Sequence, residues 1–157
     1  IARVHALATA AGCQLVATCD LAVAAESAGF AIPGGKGGLF CHTPLVAVAR
    51  NVGRKRAWER AMTGDPISAA TAVEWGLINK AVPDDQLDAE VEALATRIAA
   101  KPRVALAMGK ALFYRQLEEG IEAAYDDAGR TMACNMMDEA ALEGVQAFIE
   151  KRKPDWR

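Results

Sequence analysis

Cys41 and His42, adjacent residues with reactive side chains, stand where the chain passes from a glycine-rich run to a regularly apolar one. A thiol beside an imidazole can supply a nucleophile and its base, and a helix N-terminus favours the thiolate. Sequence neighbours often point apart, so a helix-start cysteine next to a solvated histidine is the favoured reading. Just upstream, Gly34-Gly35-Lys36-Gly37-Gly38 superficially suggests a phosphate loop. Lys36 is followed by Gly37, however, where a P-loop needs Ser or Thr, and the spacing fails. A flexible loop beside a pocket fits better. A third run, Ala10-Ala11-Gly12-Cys13-Gln14, is small and then polar. If a helix starts there, its first N–H groups lack intrahelical acceptors and favour negative charge. Close packing of a helix on a strand is the plainer use of the same small residues. His5 reads as a packed histidine at a strand end, and Glu26 as a solvated loop charge.

These residues need elements to hold them. Ile1 to Val4 predicts a short strand, and Ala11 to Thr18, with Leu15, Val16 and Ala17, a buried helix. Leu21 to Ala25 and Phe30 to Ile32 read as strands, the latter ended by Pro33. From Thr43 the pattern turns helical, with Pro44 in a first turn and Gly53 dividing two helices. Ser68 is a good N-cap for a helix ending at Trp75, with Gly76 following it. Asp84 or Asp85 is expected to cap a longer helix through Leu87, Val91, Leu94 and Ile98, which closes before Pro102. Helices over Val104–Leu117, from Ile121 to about Cys134 and from Glu139 to about Lys151 complete the chain. An αβ front third thus precedes an all-helical remainder, without internal repeats.

Several segments together resemble the crotonase (enoyl-CoA hydratase/isomerase) superfamily. His5 to Leu15 followed by Cys19-Asp20-Leu21 resembles the family's glycine-rich turn and strand entry. Phe30-Ala31-Ile32-Pro33 with Gly38-Leu39 resembles its next active-site segment. Thr63-Gly64-Asp65-Pro66-Ile67-Ser68-Ala69, with Ala72, Gly76-Leu77-Ile78 and Val82-Pro83, is the most specific match, and Ala147 to Pro154 resembles the closing helix. The Ala-Ala-Gly-Cys-Gln turn and Gly-Leu-Phe-Cys are similar to the "enoyl-CoA hydratase domain-containing" members. The resemblance implies an α/β fold: part of a crotonase-type ββα spiral over residues 1–62, then a helical region over 63–157 for trimerisation and coenzyme A contact. The chain opens on Ile1 without Met, inside an expected strand, so upstream sequence is expected.

The resemblance also implies chemistry. The family holds a thioester carbonyl oxygen between two backbone N–H groups, which stabilise the negative charge that develops there. One donor matches Ala11, beside Gly12; the second is expected upstream of Ile1. Hydratases of the family use two glutamates to activate water and deliver a proton. Gln14 stands at the first of those positions and Gly34, after Pro33, at the second. Gln14 can orient water but cannot take its proton, and Gly34 has no side chain. Asp20 and Glu26 are poor substitutes. Near the end, Phe148 and Lys151 are three apart and are expected on one helical face. Relatives place equivalent residues near the adenine and phosphates of coenzyme A; a core aromatic beside an exposed charge is an equally good reading. The implied partners are an acyl-CoA thioester and further copies of the chain, as a homotrimer or hexamer. No cofactor is implied beyond the coenzyme A carried by the substrate. Thioester chemistry without hydration leads, with non-catalytic acyl-CoA binding or modulation of an oligomer as the alternative.

Composition sets outer bounds. The 157 residues are 52% hydrophobic and 24% charged with a net charge of −2, ordinary for a globular protein and no footprint for nucleic acid or an anionic membrane. No apolar run approaches the ~20 residues of a transmembrane helix. The four cysteines form no C-x-x-C pair, hence no zinc pattern and no disulfide framework. That usage suits a reducing compartment, the cytoplasm or, in a eukaryote, the mitochondrial matrix.

Overall fold

The computed structural model describes residues 1–156. Two compact units divide the chain, Ile1–Ala95 and Thr96–Arg157, of which Arg157 lies outside the described residues. Residues 63–95, grouped above with the helical region, belong to the first unit.

The first unit is built on short strands of small apolar residues. β1 (Ala2–Val4) and β3 (Ala22–Ala25) pair in parallel, and β6 (Lys80–Val82) adds to the other side of β3. All four residues of β3 are buried. A central parallel strand is covered on both faces, which is why its sequence is a continuous apolar run without alternation. Asn79 extends this pairing: its N–H donates to the Ala22 carbonyl at 2.9 Å, while its Oδ1 accepts from the Ala22 N–H at 2.8 Å. A second sheet places β2 (Ala8–Thr9) parallel to β4 (Gly29–Ala31), with β5 (Ile67–Ser68) antiparallel at its edge. Phe30 and Ile32 are among the largest fully buried side chains.

Helices α1 (Ala11–Thr18), α2 (His42–Asn51) and α3 (Arg54–Thr63) have the bounds that the small-residue turn, Pro44 and Gly53 predict to within a residue or two. Asn51 ties α2 to α1 by donating from Nδ2 to the Ala17 carbonyl at 2.9 Å. α3 ends at Gly64 with φ +65°, where a Cβ would meet Pro33 Cα at 3.0 Å, so conformation and space both call for glycine. Ser68 caps α4 (Ala69–Glu74) as expected, its Oγ accepting from the Thr71 N–H.

Four expectations need correction. Asp84 does not cap α5 (Leu87–Ala99); it lies in a 3-10 turn, Asp84–Gln86, and accepts from the Ser27 N–H at 3.2 Å. The Ser27 hydroxyl and N–H together hold that carboxyl below its ordinary range. Gly34–Gly37 is likewise a 3-10 turn and not an irregular loop. His5 is exposed and not packed. Strands β2, β5 and β6 were not foreseen, because two or three residues carry no period.

The second unit holds α6 (Arg103–Gln116), α7 (Ile121–Met136) and α8 (Glu139–Glu150). Arg115 Nε pairs with Asp127 Oδ2 at 2.6 Å between α6 and α7. After α8 the chain turns back. Arg152 bonds Glu143 through Nη2 at 2.9 Å, and a Cβ on Gly144 would touch the Trp156 ring at 3.4 Å. Much apolar surface here is open to solvent, including Phe113, Leu117, Ile121, Tyr125, Met132 and Met137. No helix among the described residues is long and apolar enough to cross a membrane.

Candidate active-site cleft

Ala10 sets the start of α1. Its φ of 48° and ψ of −115° lie in the positive-φ region that non-glycine residues rarely occupy. Such a conformation costs on the order of 1–3 kcal/mol and persists only where the surroundings impose it. The Ala10 N–H donates to the Ala31 carbonyl at 2.9 Å and the Ala10 carbonyl accepts from the Gln14 N–H at 3.0 Å, fixing the residue between β4 and the first turn of α1. The bend hands the chain from β2 straight into α1, so that Ala11 becomes the first helical residue. Its N–H and that of Gly12 therefore have no acceptor within the helix. Both residues are exposed, and Gln14, one turn on, is half-buried.

Behind the turn lies Cys13, 2% exposed. Burial pushes its thiol up to about 11, partly offset by a hydrogen bond from the Ala31 backbone, and nearby Cys41 raises it further. Cys13 is thus an inert thiol at neutral pH, part of the packing beneath the turn.

A cleft of about 470 Å3 opens beside Ala10. Pro33, Gly34 and Gly37 line it from the 3-10 turn, and Leu39 to Pro44 from the entry to α2. The Gly34 N–H donates to Cys41 Sγ at 3.1 Å. A Cβ on Gly34 would lie 2.8 Å from both the nitrogen and the sulfur of Cys41, and closer still to the Leu39 carbonyl oxygen. The backbone has closed over the place where a side chain would leave residue 34. No carboxylate lines the cleft among the described residues; Cys41 and His42 are its two proton-exchanging groups. Cys41 is buried, while His42 is exposed, its ring set edge-on to Phe40 at 5.2 Å between centroids. The pair occupies one cleft but Cys41 faces Gly34, so the structure brings the two together without making them a hydrogen-bonded couple.

The sequence-predicted residues therefore fall into two groups. Ala11, Gly12 and Gln14 stand in the first turn of α1, while Pro33 and Gly34 line the cleft, whose wall reaches Ala10 but not Ala11, Gly12 or Gln14. Phe148 and Lys151 belong to the second unit. Phe148 is 85% exposed at the end of α8. Lys151 is not on the helix with it: α8 stops at Glu150, and Lys151 is a left-handed C-cap with φ 56°. The shared helical face expected from their spacing is accordingly absent. A larger cavity, about 830 Å3, lies in the second unit among Lys101, Arg103, Asp138, Glu139 and Trp156. It is a gap between helix ends with charges of both signs. Among the described residues, no cluster of three or more His, Cys, Asp or Glu could hold a metal. Sequence reasoning missed the strain at Ala10 and the Cys41–Gly34 contact, since neither a φ value nor a sulfur seven residues away leaves a local pattern.

The family model described as Enoyl-CoA hydratase/isomerase matches residues 1–157. Enoyl-CoA hydratase domain-containing protein 3, mitochondrial, of Mus musculus is 51% identical over 156 residues, covering 99% of this chain and 52% of that protein. A crystal structure of an enoyl-CoA hydratase from Mycobacterium smegmatis superposes with a TM-score of 0.97 at 63% identity, covering 98% of this chain and 60% of that one. The crystal structure of human enoyl-CoA hydratase domain-containing protein 3 gives 0.93 at 49% identity, over 96% of this chain and 59% of that one. The chain spans about half the length of the curated relatives it matches.

Proposed function

This chain belongs to the enoyl-CoA hydratase/isomerase family, the crotonase superfamily, and on that premise we propose that it binds an acyl-CoA thioester and stabilises an oxyanion without catalysing ordinary hydration. The observation that carries the reading is the asymmetry of the cleft. On one side, next to the lining residue Ala10, α1 starts at Ala11, whose N–H has no acceptor within the helix and is available to a thioester oxygen. The other has lost its acid, and the backbone around Gly34 leaves no room for one.

Syn-hydration needs one group to take a proton from water and another to deliver one to the α-carbon. Gln14 can do neither, and Gly34 supplies no group. The same N–H can stabilise the charge that develops on the thioester oxygen in isomerisation, decarboxylation or hydrolysis, the first and last of which also need a group to carry a proton. A non-catalytic role, acyl-CoA binding or modulation of an oligomer, is favoured by the lack, among the described residues, of any carboxylate on the cleft wall. Phe148 and Lys151 are proposed as contacts for the adenine and phosphates of coenzyme A; their exposure supports this and their divergence at the end of α8 weakens it. No further cofactor is proposed. Exposed apolar residues on α6 to α8 support assembly as a homotrimer or hexamer. Several relatives are named as mitochondrial proteins, which suits a matrix location if this chain is eukaryotic.

Turnover of an acyl-CoA panel by the complete protein carrying this chain tests the reading. Crotonyl-CoA hydration is expected to be slower by several decades than in glutamate-bearing relatives, as each ~1.4 kcal/mol of lost transition-state stabilisation costs tenfold. Hydration at the rate of those enzymes would overturn it. Binding without turnover on any substrate would favour the non-catalytic role.

A further inference from the structure

We propose that His42 is the acid/base group of the cleft, exchanging a proton with the α-carbon of the bound thioester. The inference rests on the thioester reading above and names the residue that replaces the missing carboxylates. Three observations carry it. Of the residues lining the cleft only Cys41 and His42 can exchange a proton. Cys41 is 7% exposed and its sulfur is engaged by the Gly34 N–H at 3.1 Å, so it is held in the wall. His42 is exposed at the first position of α2, and among the described residues no hydrogen bond ties its ring nitrogens. Its ring is steadied from one side by the edge-on contact with Phe40, which in turn packs near Trp58 at 6.1 Å between centroids. An imidazole steadied by Phe40, in a cleft whose wall reaches Ala10, the residue before the start of α1, is placed for proton transfer.

The step balances without a co-reactant. An imidazole nitrogen of His42 takes the α-proton, and the electron pair of the broken C–H bond forms the C=C bond of an enolate. The carbonyl π pair moves onto the thioester oxygen, where the Ala11 N–H donates to it. Return of a proton from the imidazolium to the α-carbon restores the thioester, so in heavy water the net result is exchange of hydrogen for deuterium.

The test is deuterium incorporation into butyryl-CoA in heavy water, followed by mass spectrometry on the complete protein, with butyryl-CoA affinity measured in parallel. In H42Q, exchange is expected to fall roughly a hundredfold with affinity unchanged, a typical contribution of general acid–base catalysis. Added free imidazole is expected to restore part of the rate in H42A, which a merely structural role would not allow. Exchange unchanged in H42Q overturns the inference and leaves the thioester reading standing. Loss of exchange that imidazole does not restore, or that comes with lost affinity, also overturns it. Butyryl-CoA binding to the unaltered protein with no exchange removes both this inference and the catalytic form of the thioester reading.

Discussion

The Gly34 N–H donates to Cys41 Sγ at 3.1 Å, and the same sulfur stands 2.8 Å from where a Cβ on Gly34 would be. One contact thus both satisfies a backbone donor and occupies the exit of a side chain. The surrounding backbone therefore leaves no room for a side chain at residue 34. Gly34→Glu is expected to leave crotonyl-CoA hydration absent and to destabilise the first unit by about 1–3 kcal/mol, as overpacking does. The Leu39 carbonyl and Cys41 nitrogen are backbone atoms, so trimming Cys41 to Gly should not rescue the variant. Thermal unfolding and a hydration assay of G34E and G34E/C41G check this; hydration gained by the single variant would refute it.

Ala10 and Ala11 make separable predictions. Ala10→Gly removes the positive-φ cost of an L residue, against a ~0.5–1 kcal/mol entropic cost of glycine, for a net gain of about 1 kcal/mol. Ala11→Pro deletes the proposed donor at a helix position that tolerates proline. Loss of one oxyanion donor typically costs ~2.7–4 kcal/mol, a hundredfold to a thousandfold in rate, whereas a ground-state hydrogen bond is worth ~0.5–1.5 kcal/mol. Proline also restricts the residue before it, here the strained Ala10, so unfolding curves for A11P and A10G/A11P must accompany the kinetics. A folded A11P protein with undiminished turnover would rule Ala11 out.

Cys13 predicts a pH dependence. Burial raises its thiol from an ordinary 9.0 to about 11 in the fold. The folded state therefore holds its proton over a window in which the unfolded chain has released it. The stability contribution is complete below pH 9 and is lost as pH rises toward 11, about 3 kcal/mol across the window. The informative quantity is the difference between the unaltered protein and Cys13→Ala. That difference should shrink steadily from pH 8.5 to 11, measured by denaturant unfolding; a flat difference would contradict the assignment. At pH 8, iodoacetamide should modify exposed Cys134 while sparing Cys13.

Exposed apolar side chains on α6 to α8 predict self-association. Tyr125 is 74% and Met137 79% exposed. Light scattering of the complete protein at micromolar concentration should report a trimer or hexamer, and Tyr125→Glu or Met132→Glu should shift it toward smaller species. A clean monomer of the unaltered protein would count against the proposed assembly.

Much of the fold was legible from local pattern. Ala11, Pro44, Gly53 and Ser68 mark helix starts because capping, fixed φ and apolar spacing act within a turn of chain. The identities of Gln14 and Gly34 needed no coordinates. Tertiary structure decided what distance in sequence conceals. β6 exists because Val23, Ala24 and Ala25 offer it a parallel edge some 57 residues away, and three residues have no period of their own. Asp84 was drawn from capping by Ser27, a partner no helix rule includes. Ala10 carries its strain because the Ala31 carbonyl and the first turn of α1 pull on it together. Lys151 left the face of Phe148 because Arg152, bonded to Glu143, turns the chain back at that point. Residue types are local and announce the available chemistry; which groups share a cleft depends on contacts between distant segments, whose free energy has no signature until the chain closes on itself.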